Sequence, residues 1–248
     1  MFRPRVALAS LSGEGDADWA RAVAAHAGCA FLGGIALDEA TREAARAMTD
    51  RDRSEFLPED PIAFVDAQLD ELADVPLRGA FNVRSASLAP IECAAEVCRD
   101  HDAVLELNAH CRQDEMCDVG AGETLLRSPE RLAEQVRTAA DTGVAVSVKV
   151  RAEVPGVDLL ALAHRLETAG ADAIHVDAMD SESVVADVAD ATDLFVVANN
   201  GVRDRETTQE YLEYGADAVS VGRASDDPEV LAAVRETAAD WFIRGATR

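Results

Sequence analysis

Short apolar stretches alternate with helical patterns along the whole chain, and this alternation limits the possible folds more than any other feature. Continuous apolar strands joined by helices are typical of a parallel sheet covered on both faces. Eight such units in 248 residues predict a (β/α)8 TIM barrel that forms a single domain over residues 1–248. A doubly wound open sheet is the alternative. The predicted strands are Val6–Ser10, Cys29–Leu32, Leu77–Val83, Ala103–Leu107, Ala145–Val150, Ala173–Val176, Leu194–Ala198 and Ala218–Val221.

Helical periodicity fills the segments between these strands, and several helices stop at a glycine just before the next strand. Two helices stand between the second and third strands, so the stretch Ala40–Pro61 is the main insertion, with Arg42, Arg46, Arg51 and Arg53 in its middle. The predicted helices are Asp16–Ala27, Asp38–Met48, Pro61–Leu72, Ala89–Arg99, Pro129–Thr142, Val157–Ala169, Ser181–Ala191, Arg205–Tyr214 and Pro228–Arg244.

The charge of the chain is strongly acidic. Lys and Arg total 23 against 47 Asp and Glu, a net charge of −24, and Lys149 is the only lysine. This balance disfavours bulk attraction to nucleic acid or anionic membranes, and it predicts adaptation to a salty cytosol, a halophilic habitat. Five cysteines without CxxC spacing favour a reducing compartment. No signal peptide or long apolar run is evident, so we expect a soluble cytoplasmic protein with no membrane partner.

Polar residues follow the apolar part of most of the later strands. In a TIM barrel the active site lies at the carboxyl ends of the strands, where these residues converge. They are Asn82, Asn108, Cys111, Lys149, Arg151, His175, Asp177, Asn199, Asn200, Gly201, Gly222 and Arg223.

The loops after strands 7 and 8 carry glycines, in Ala198-Asn-Asn-Gly201 and Val221-Gly-Arg-Ala224. In this fold these two loops commonly bind a phosphate, so the pair favours a phosphate site over simple tight turns. Lys149 and His175 lie on adjacent predicted strands. They could bind the electron-rich edge of a flavin, or act as a Schiff-base lysine with its acid.

A thiol just beyond strand 4 could act as a general acid to a substrate carbon, because it is mostly protonated at neutral pH. Cys111 stands among polar neighbours and suits that role, whereas Cys29, Cys93 and Cys98 are interpreted as small core residues. Cys111 and Cys117 are six residues apart, and the chain has no second pair of cysteines that would complete a zinc or iron–sulfur site. No metal site is therefore predicted.

Four runs carry a family resemblance: ELNAHCRQDEMCDVGAGETLLRSPERLAEQVR, VSVKVR, AGADAIHVDA and VVANNGVRDRETTQEYLEYGADAVSVGRA. In this order and spacing, over roughly residues 77–235, the chain resembles the FMN-dependent dihydrouridine synthases, flavin-binding barrels related to dihydroorotate dehydrogenases. The family typically has Asn-x-Gly-Cys-Pro after strand 4. This chain reads Asn108-Ala109-His110-Cys111-Arg112, which keeps the asparagine and cysteine and replaces the glycine and proline.

The resemblance implies an oxidoreductase that passes hydride from NAD(P)H through FMN to the C=C bond of a uracil-like ring, with Cys111 as the proton donor. By the same resemblance, the flavin would be held by Asn82, Asn108, Lys149 and His175, and its phosphate by Asn200, Gly201, Gly222 and Arg223.

The synthases carry a C-terminal helical domain that grips tRNA, and this sequence stops after the eighth helix. Both the end of the sequence at this point and its acidic charge weaken the expectation of a tRNA substrate. Two substrates therefore stay open, a tRNA uridine or a small pyrimidine. The alternatives are a dihydroorotate dehydrogenase-like or other ene-reductase, a flavin-free phosphate-binding lyase or isomerase with Lys149 as Schiff-base former, and a non-catalytic flavin or RNA-binding scaffold.

Overall fold

Eight parallel strands close into a barrel in chain order, as seen in a computed structural model that describes residues 1–245. Each strand pairs with the next, and β8 returns to β1 with Val6 opposite Val219, so the TIM barrel is confirmed and the open sheet is excluded. The strands are β1 Val6–Leu8, β2 Cys29–Ala36, β3 Arg78–Arg84, β4 Val104–Asn108, β5 Ala145–Arg151, β6 Ala173–Asp177, β7 Phe195–Asn199 and β8 Ala218–Val221.

The helices surround the barrel. Several begin after an aspartate whose carboxylate accepts a hydrogen bond from a backbone N–H of the first turn, as Asp38, Asp60, Asp158 and Asp204 do. The helices are α1 Ala17–Ala22, α2 Glu39–Thr49, α3 Pro61–Asp70, α4 Leu88–Asp100, α5 Asp114–Asp118, α6 Pro129–Ala140, α7 Leu159–Ala169, α8 Val184–Ala191, α9 Arg205–Glu213 and α10 Pro228–Gly245. Among the described residues, no helix is long and apolar enough to cross a bilayer.

Three differences from the sequence prediction matter. Strand β2 runs four residues beyond Leu32, with a register shift between Gly33 and Ile35, and Ile35 forms a bridge with Phe56 of the insertion. Helix α1 ends at Ala22, and turns follow it as far as His26. The loop after β4, for which no helix was predicted, holds α5 and a 3-10 helix, Gly122–Arg127.

The barrel interior has two layers. The lower layer, at the amino ends of the strands, is an apolar cluster that Phe2 packs against: Ala7, Cys29, Phe31, Ala80, Val104, Val197 and Ala218. On β3, β4 and β8, the inward position two residues further along is polar, because side chains alternate between the two faces of a strand and positions two apart share a face. This upper layer contains Asn82, Glu106, Ser147, Lys149, His175 and Ser220, all buried.

Candidate active site

A cleft at the carboxyl end of the barrel consists of two adjoining pockets that share Ser10, Leu11, His110, Asp177, Met179 and Arg223. The first, which we call the cysteine pocket, has a volume of about 470 Å³ and is lined by Arg84, Asn108 and Cys111 together with the insertion residues 52–54. The second, the glycine pocket, has a volume of about 380 Å³ and is lined by Lys149, Asn200, Gly201 and Gly222.

Most of the predicted site residues therefore lie at one cleft. Asn82 and His175 do not line it. Both have fully buried side chains in the upper layer, one level below the cleft. Direct contact of these two residues with a ligand stays a prediction, whereas their contacts with the residues around them are part of the structure.

The glycine pocket has an open backbone wall. Asn200 and Gly201 both have left-handed backbones, with φ of 95° and 69°. The side-chain amide of Asn200 donates to Asp177 Oδ1 at 2.9 Å, and the backbone carbonyl of Asn200 accepts from the Tyr211 hydroxyl at 2.9 Å. This turn is therefore held from both sides. At Gly222 a Cβ would meet nothing within 4 Å, because the backbone there borders open space. Such a wall gives an anionic group direct access to the backbone.

Glu106 is the centre of the hydrogen-bond network in the upper layer, and the sequence did not predict it as a site residue. Its carboxylate accepts from Asn82 Nδ2 at 2.7 Å and from Ser147 Oγ at 3.3 Å. It also pairs with His175 Nδ1 at 2.7 Å. The sequence held a signal: in Val104-Leu-Glu-Leu-Asn108 the glutamate stands two residues before Asn108 and so shares its inward face.

The protonation states follow from burial and from neighbouring charge. Burial alone would raise the pKa of Glu106, but its pairing with His175, the charge of Lys149 and the hydrogen bond from Asn82 outweigh it, so the pKa lies below its ordinary value. Burial lowers the pKa of His175 although Glu106 opposes this. A neutral imidazole facing a carboxylate must donate through Nδ1, which leaves Nε2 to accept from Ser220 Oγ at 2.7 Å.

Lys149 is a buried cation without a hydrogen bond or close ion pair among the residues that the structure describes, although its side chain lines the glycine pocket. Burial lowers its pKa, and the negative charges of Glu106 and Asp177 only partly oppose the effect. An ammonium group in this state favours a ligand that brings hydrogen-bond acceptors or negative charge into the pocket.

The cysteine loop is held rigidly over the upper layer. Asn108 Oδ1 accepts from the backbone N–H of Cys111 at 3.0 Å, and Asn108 Nδ2 donates to Asn82 Oδ1 at 2.8 Å. The Cys111 carbonyl accepts from the Glu123 N–H at 2.8 Å and from the Cys117 thiol at 3.5 Å. A hydrogen-bonded path therefore joins Cys111 through Asn108 and Asn82 to Glu106.

Two further residues of the site were not predicted. Arg84, the last residue of β3, and Glu55, from the insertion, form an ion pair whose side chains are 1% and 0% exposed. Arg84 also donates through Nη2 to the Gly34 carbonyl at 2.7 Å. An arginine directly after an apolar strand was the available signal, whereas no local pattern marks Glu55 as buried.

Positive charge gathers at this cleft in a chain that is acidic elsewhere. The cysteine pocket is lined by five arginines, against three carboxylates: Arg53, Arg84, Arg112, Arg151 and Arg223 against Glu14, Asp52 and Asp177. His110 is half-buried between the two pockets. Its pKa lies well below the ordinary value, first because of desolvation and then because of nearby cations, Lys149 foremost. The cleft is therefore suited to ligands that carry negative charge.

Residues 80–245 match the dihydrouridine synthase family. The chain is also 27% identical over 231 residues to the uncharacterized protein MJ0144 of Methanocaldococcus jannaschii, and the alignment covers 88% of each chain.

Among solved structures, 3-hexulose-6-phosphate synthase from Salmonella typhimurium aligns with a TM-score of 0.58 and 14% identity, over 96% of this chain and 98% of that one. Thiamine phosphate pyrophosphorylase from Pyrococcus furiosus aligns with a TM-score of 0.57 and 11% identity, over 96% of both. At these identities the structural matches show the barrel fold alone.

Proposed function

The chain belongs to the dihydrouridine synthase family, and from that premise we propose that it is an FMN-dependent oxidoreductase reducing the C=C bond of a uracil-like ring. The observation that carries the proposal is Lys149, a buried cation at the glycine pocket without a hydrogen-bond partner among the described residues. A flavin ring offers such a cation acceptor atoms along one edge, and negative charge when it is reduced.

The donor set of the cleft fits FMN in its arrangement as well as in its chemistry. Gly201 and Gly222 leave backbone open at the end of the barrel where this fold commonly binds phosphate, and Arg223 lines both pockets beside them. Lys149 lies further inside, on β5, where it would bind the ring. When bound, FMN supplies hydride to the substrate after reduction by NAD(P)H.

The protein's own part in the reaction is to hold the ring and to supply a proton. Glu106 and the neutral His175 would form a fixed polar floor, since each of their hydrogen bonds is already made within the barrel. Cys111 lines the adjoining pocket and would donate its thiol proton to the ring carbon that does not receive the hydride. Asn108 holds the Cys111 backbone in position through the bond to its N–H.

A small anionic substrate, as in a dihydroorotate dehydrogenase-like ene-reductase, is the second candidate. It is favoured by the five arginines that line the cysteine pocket of a chain with a net charge of −24. A tRNA uridine would have to approach this cleft past an acidic surface, at an electrostatic cost that falls with rising salt.

The direct test is a pair of half-reactions. The protein loaded with FMN is reduced anaerobically with NADH or NADPH, and the reduced form is then mixed with uracil, orotate, uridine monophosphate or unmodified tRNA. We expect flavin reoxidation and a dihydro product with one of them. A protein that neither binds FMN nor transfers hydride, but is trapped by borohydride at Lys149 with a carbonyl substrate, would instead be a Schiff-base lyase.

A further inference from the structure

The wall of the glycine pocket carries a row of side-chain oxygens below the glycine turns. Asp177, Asn199 and Ser220 lie at or next to the ends of β6, β7 and β8, and all three line this pocket. They are neighbours across the sheet, because Asp177 pairs in register with Asn199, and Asn199 pairs with Ser220. We call these three residues the acceptor row.

Contacts within the barrel engage the donors of the acceptor row and leave acceptors over. The Ser220 hydroxyl donates to the neutral His175 at 2.7 Å. The side chain of Asn199 donates through Nδ2 to the Ser220 carbonyl at 3.3 Å, and its Oδ1 has no hydrogen-bond partner among the described residues. Asp177 Oδ1 accepts from Asn200 at 2.9 Å, whereas Asp177 Oδ2 has no hydrogen bond or ion pair within the described part of the chain. The row therefore offers oxygen acceptors to a ligand in the pocket.

The chemistry of the row selects the kind of group that binds there. A phosphate oxygen is an acceptor with negative charge, so it does not suit the carboxylate of Asp177. A hydroxyl group suits all three residues, because it has a proton to donate and a lone pair for any donor nearby. The row is therefore built for hydroxyl groups.

The position of the row places those hydroxyls between the two ends of the pocket. The glycine turns come directly after it, since Gly222 follows Ser220 by two residues. Lys149 lies one level deeper: its register partner His175 precedes Asp177 by two residues, which is about 6.6 Å along a strand. A ligand with a phosphate at the glycine turns and a ring at Lys149 would lay its connecting chain along the row.

We propose that the acceptor row binds the hydroxyls of a polyol chain, which in FMN is the ribityl chain between the phosphate and the ring. This inference rests on the proposed function for the identity of the ligand, and it assigns Asp177 and Asn199 a part in selecting that ligand. It also gives His175 a different role. Both ring nitrogens of His175 are engaged within the barrel, so His175 would orient the Ser220 hydroxyl and would not touch the flavin.

The test compares FMN with a flavin that carries a phosphopentyl chain in place of ribityl phosphate, and so keeps the ring and the phosphate but has no chain hydroxyls. Dissociation constants are measured by titration of the flavin fluorescence. The wild type should bind FMN about 50-fold more tightly than the phosphopentyl flavin. Asn199→Leu should reduce this preference about fivefold and Asp177→Asn about tenfold, because each variant removes an acceptor. Asp177→Asn retains an oxygen for the bond from Asn200.

The ratio of the two dissociation constants separates recognition of the hydroxyls from damage to the fold, because a damaged site binds both flavins more weakly. Arg223→Ala is the matched control. Both flavins carry a phosphate, so this variant should weaken both and leave the preference for FMN unchanged. Equal affinity of the wild type for the two flavins would overturn the proposal, as would a preference that neither Asn199→Leu nor Asp177→Asn reduces.

Ribitol 5-phosphate and pentyl phosphate repeat the comparison without a ring. In calorimetric titrations the wild type should bind ribitol 5-phosphate more tightly than pentyl phosphate, and Asn199→Leu should lessen the difference. A protein that shows this preference but binds no FMN would keep the acceptor row and reject the proposed function. A protein that binds FMN but shows no preference for hydroxyls in either pair of ligands would keep the proposed function and reject the acceptor row.

Discussion

The two layers of the barrel interior have opposite chemistry, although on β3, β4 and β8 they lie only two residues apart. In the lower layer, Val104 and Ala80 are held by burial alone, which requires no partner of defined geometry. In the upper layer, Glu106 and Asn82 occupy the next inward positions of the same two strands and need hydrogen bonds for every polar atom.

This difference indicates that the upper layer, at the carboxyl end of the strands, is constrained by more than the stability of the fold. Apolar side chains of similar size would fill the upper layer at lower risk, because a partly satisfied polar network is costly. The carboxylate of Glu106 instead collects three partners from three other strands. The upper layer thus forms a rigid polar floor under the cleft, and the lower layer supplies burial beneath it.

The largest contrast should come from two cysteines, Cys111 in the loop above the upper layer and Cys29 in the lower layer. If the Cys111 thiol only protonates the substrate, Cys111→Ala should lower substrate turnover by roughly 10²–10⁴-fold. NAD(P)H should still reduce the flavin at a near-normal rate. Cys29→Ala in the lower layer should cost about 1 kcal/mol of stability and leave both half-reactions intact. Stopped-flow measurement of each half-reaction separates the two outcomes.

Cys117→Ala is the nearer control, because Cys117 is six residues away and its thiol donates to the Cys111 carbonyl. It should change neither half-reaction by much. If Cys117→Ala stops the reoxidation of reduced flavin by substrate and Cys111→Ala does not, the proton donor has been assigned to the wrong cysteine.

Substitution of Lys149 should weaken FMN binding, whereas substitution of Val104 should lower only the stability of the fold. Lys149→Met removes the one ammonium of the upper layer, and we expect FMN to bind roughly 100-fold more weakly because a charge-assisted bond is lost. Val104→Ala should lower the free energy of unfolding by about 2 kcal/mol and leave the FMN dissociation constant within a factor of two. Equal flavin affinity in the two variants would remove Lys149 from the site.

A variant of Arg223 tests where the phosphate of the cofactor lies within the cleft. Arg223→Ala should weaken FMN about tenfold and riboflavin hardly at all, since the expected contact is to phosphate and the side chain is exposed. Paired titrations of the two flavins measure this ratio. Equal losses for FMN and riboflavin would place the phosphate elsewhere.

The smallest effect should be a pH dependence of stability. The folded pKa of His175 lies below its ordinary value of 6.5, so below that pH the unfolded chain binds more protons and stability falls as pH falls. Glu106, with a folded pKa below its ordinary value of 4.5, acts in the same direction at lower pH. His175→Gln removes the first group and part of the shift of the second.

In urea unfolding between pH 7 and pH 4.5, His175→Gln should therefore lose less stability than the wild type. A His175 variant with an undiminished pH dependence would mean that the imidazole is charged in the folded state.

The sequence predicted the barrel because it contains eight largely apolar strands and each is followed by a helix. It also predicted which residues lie at the mouth, since position at a strand end fixes that in a parallel barrel. It failed where long-range contacts decide the result. Glu106 sits inside an apolar strand, and Arg84 and Glu55 are 29 residues apart and meet only in three dimensions. The extension of β2 beyond Leu32 likewise depends on a distant segment, because Ile35 pairs with Val83 of β3.

The central claim is that the upper layer and the cleft above it form a flavin site. It is tested most directly by the visible absorbance spectrum of the purified protein, followed by mass analysis of the cofactor released on denaturation. We expect flavin bands and FMN, present from purification or regained on incubation with FMN. A colourless protein that takes up no FMN would contradict the claim.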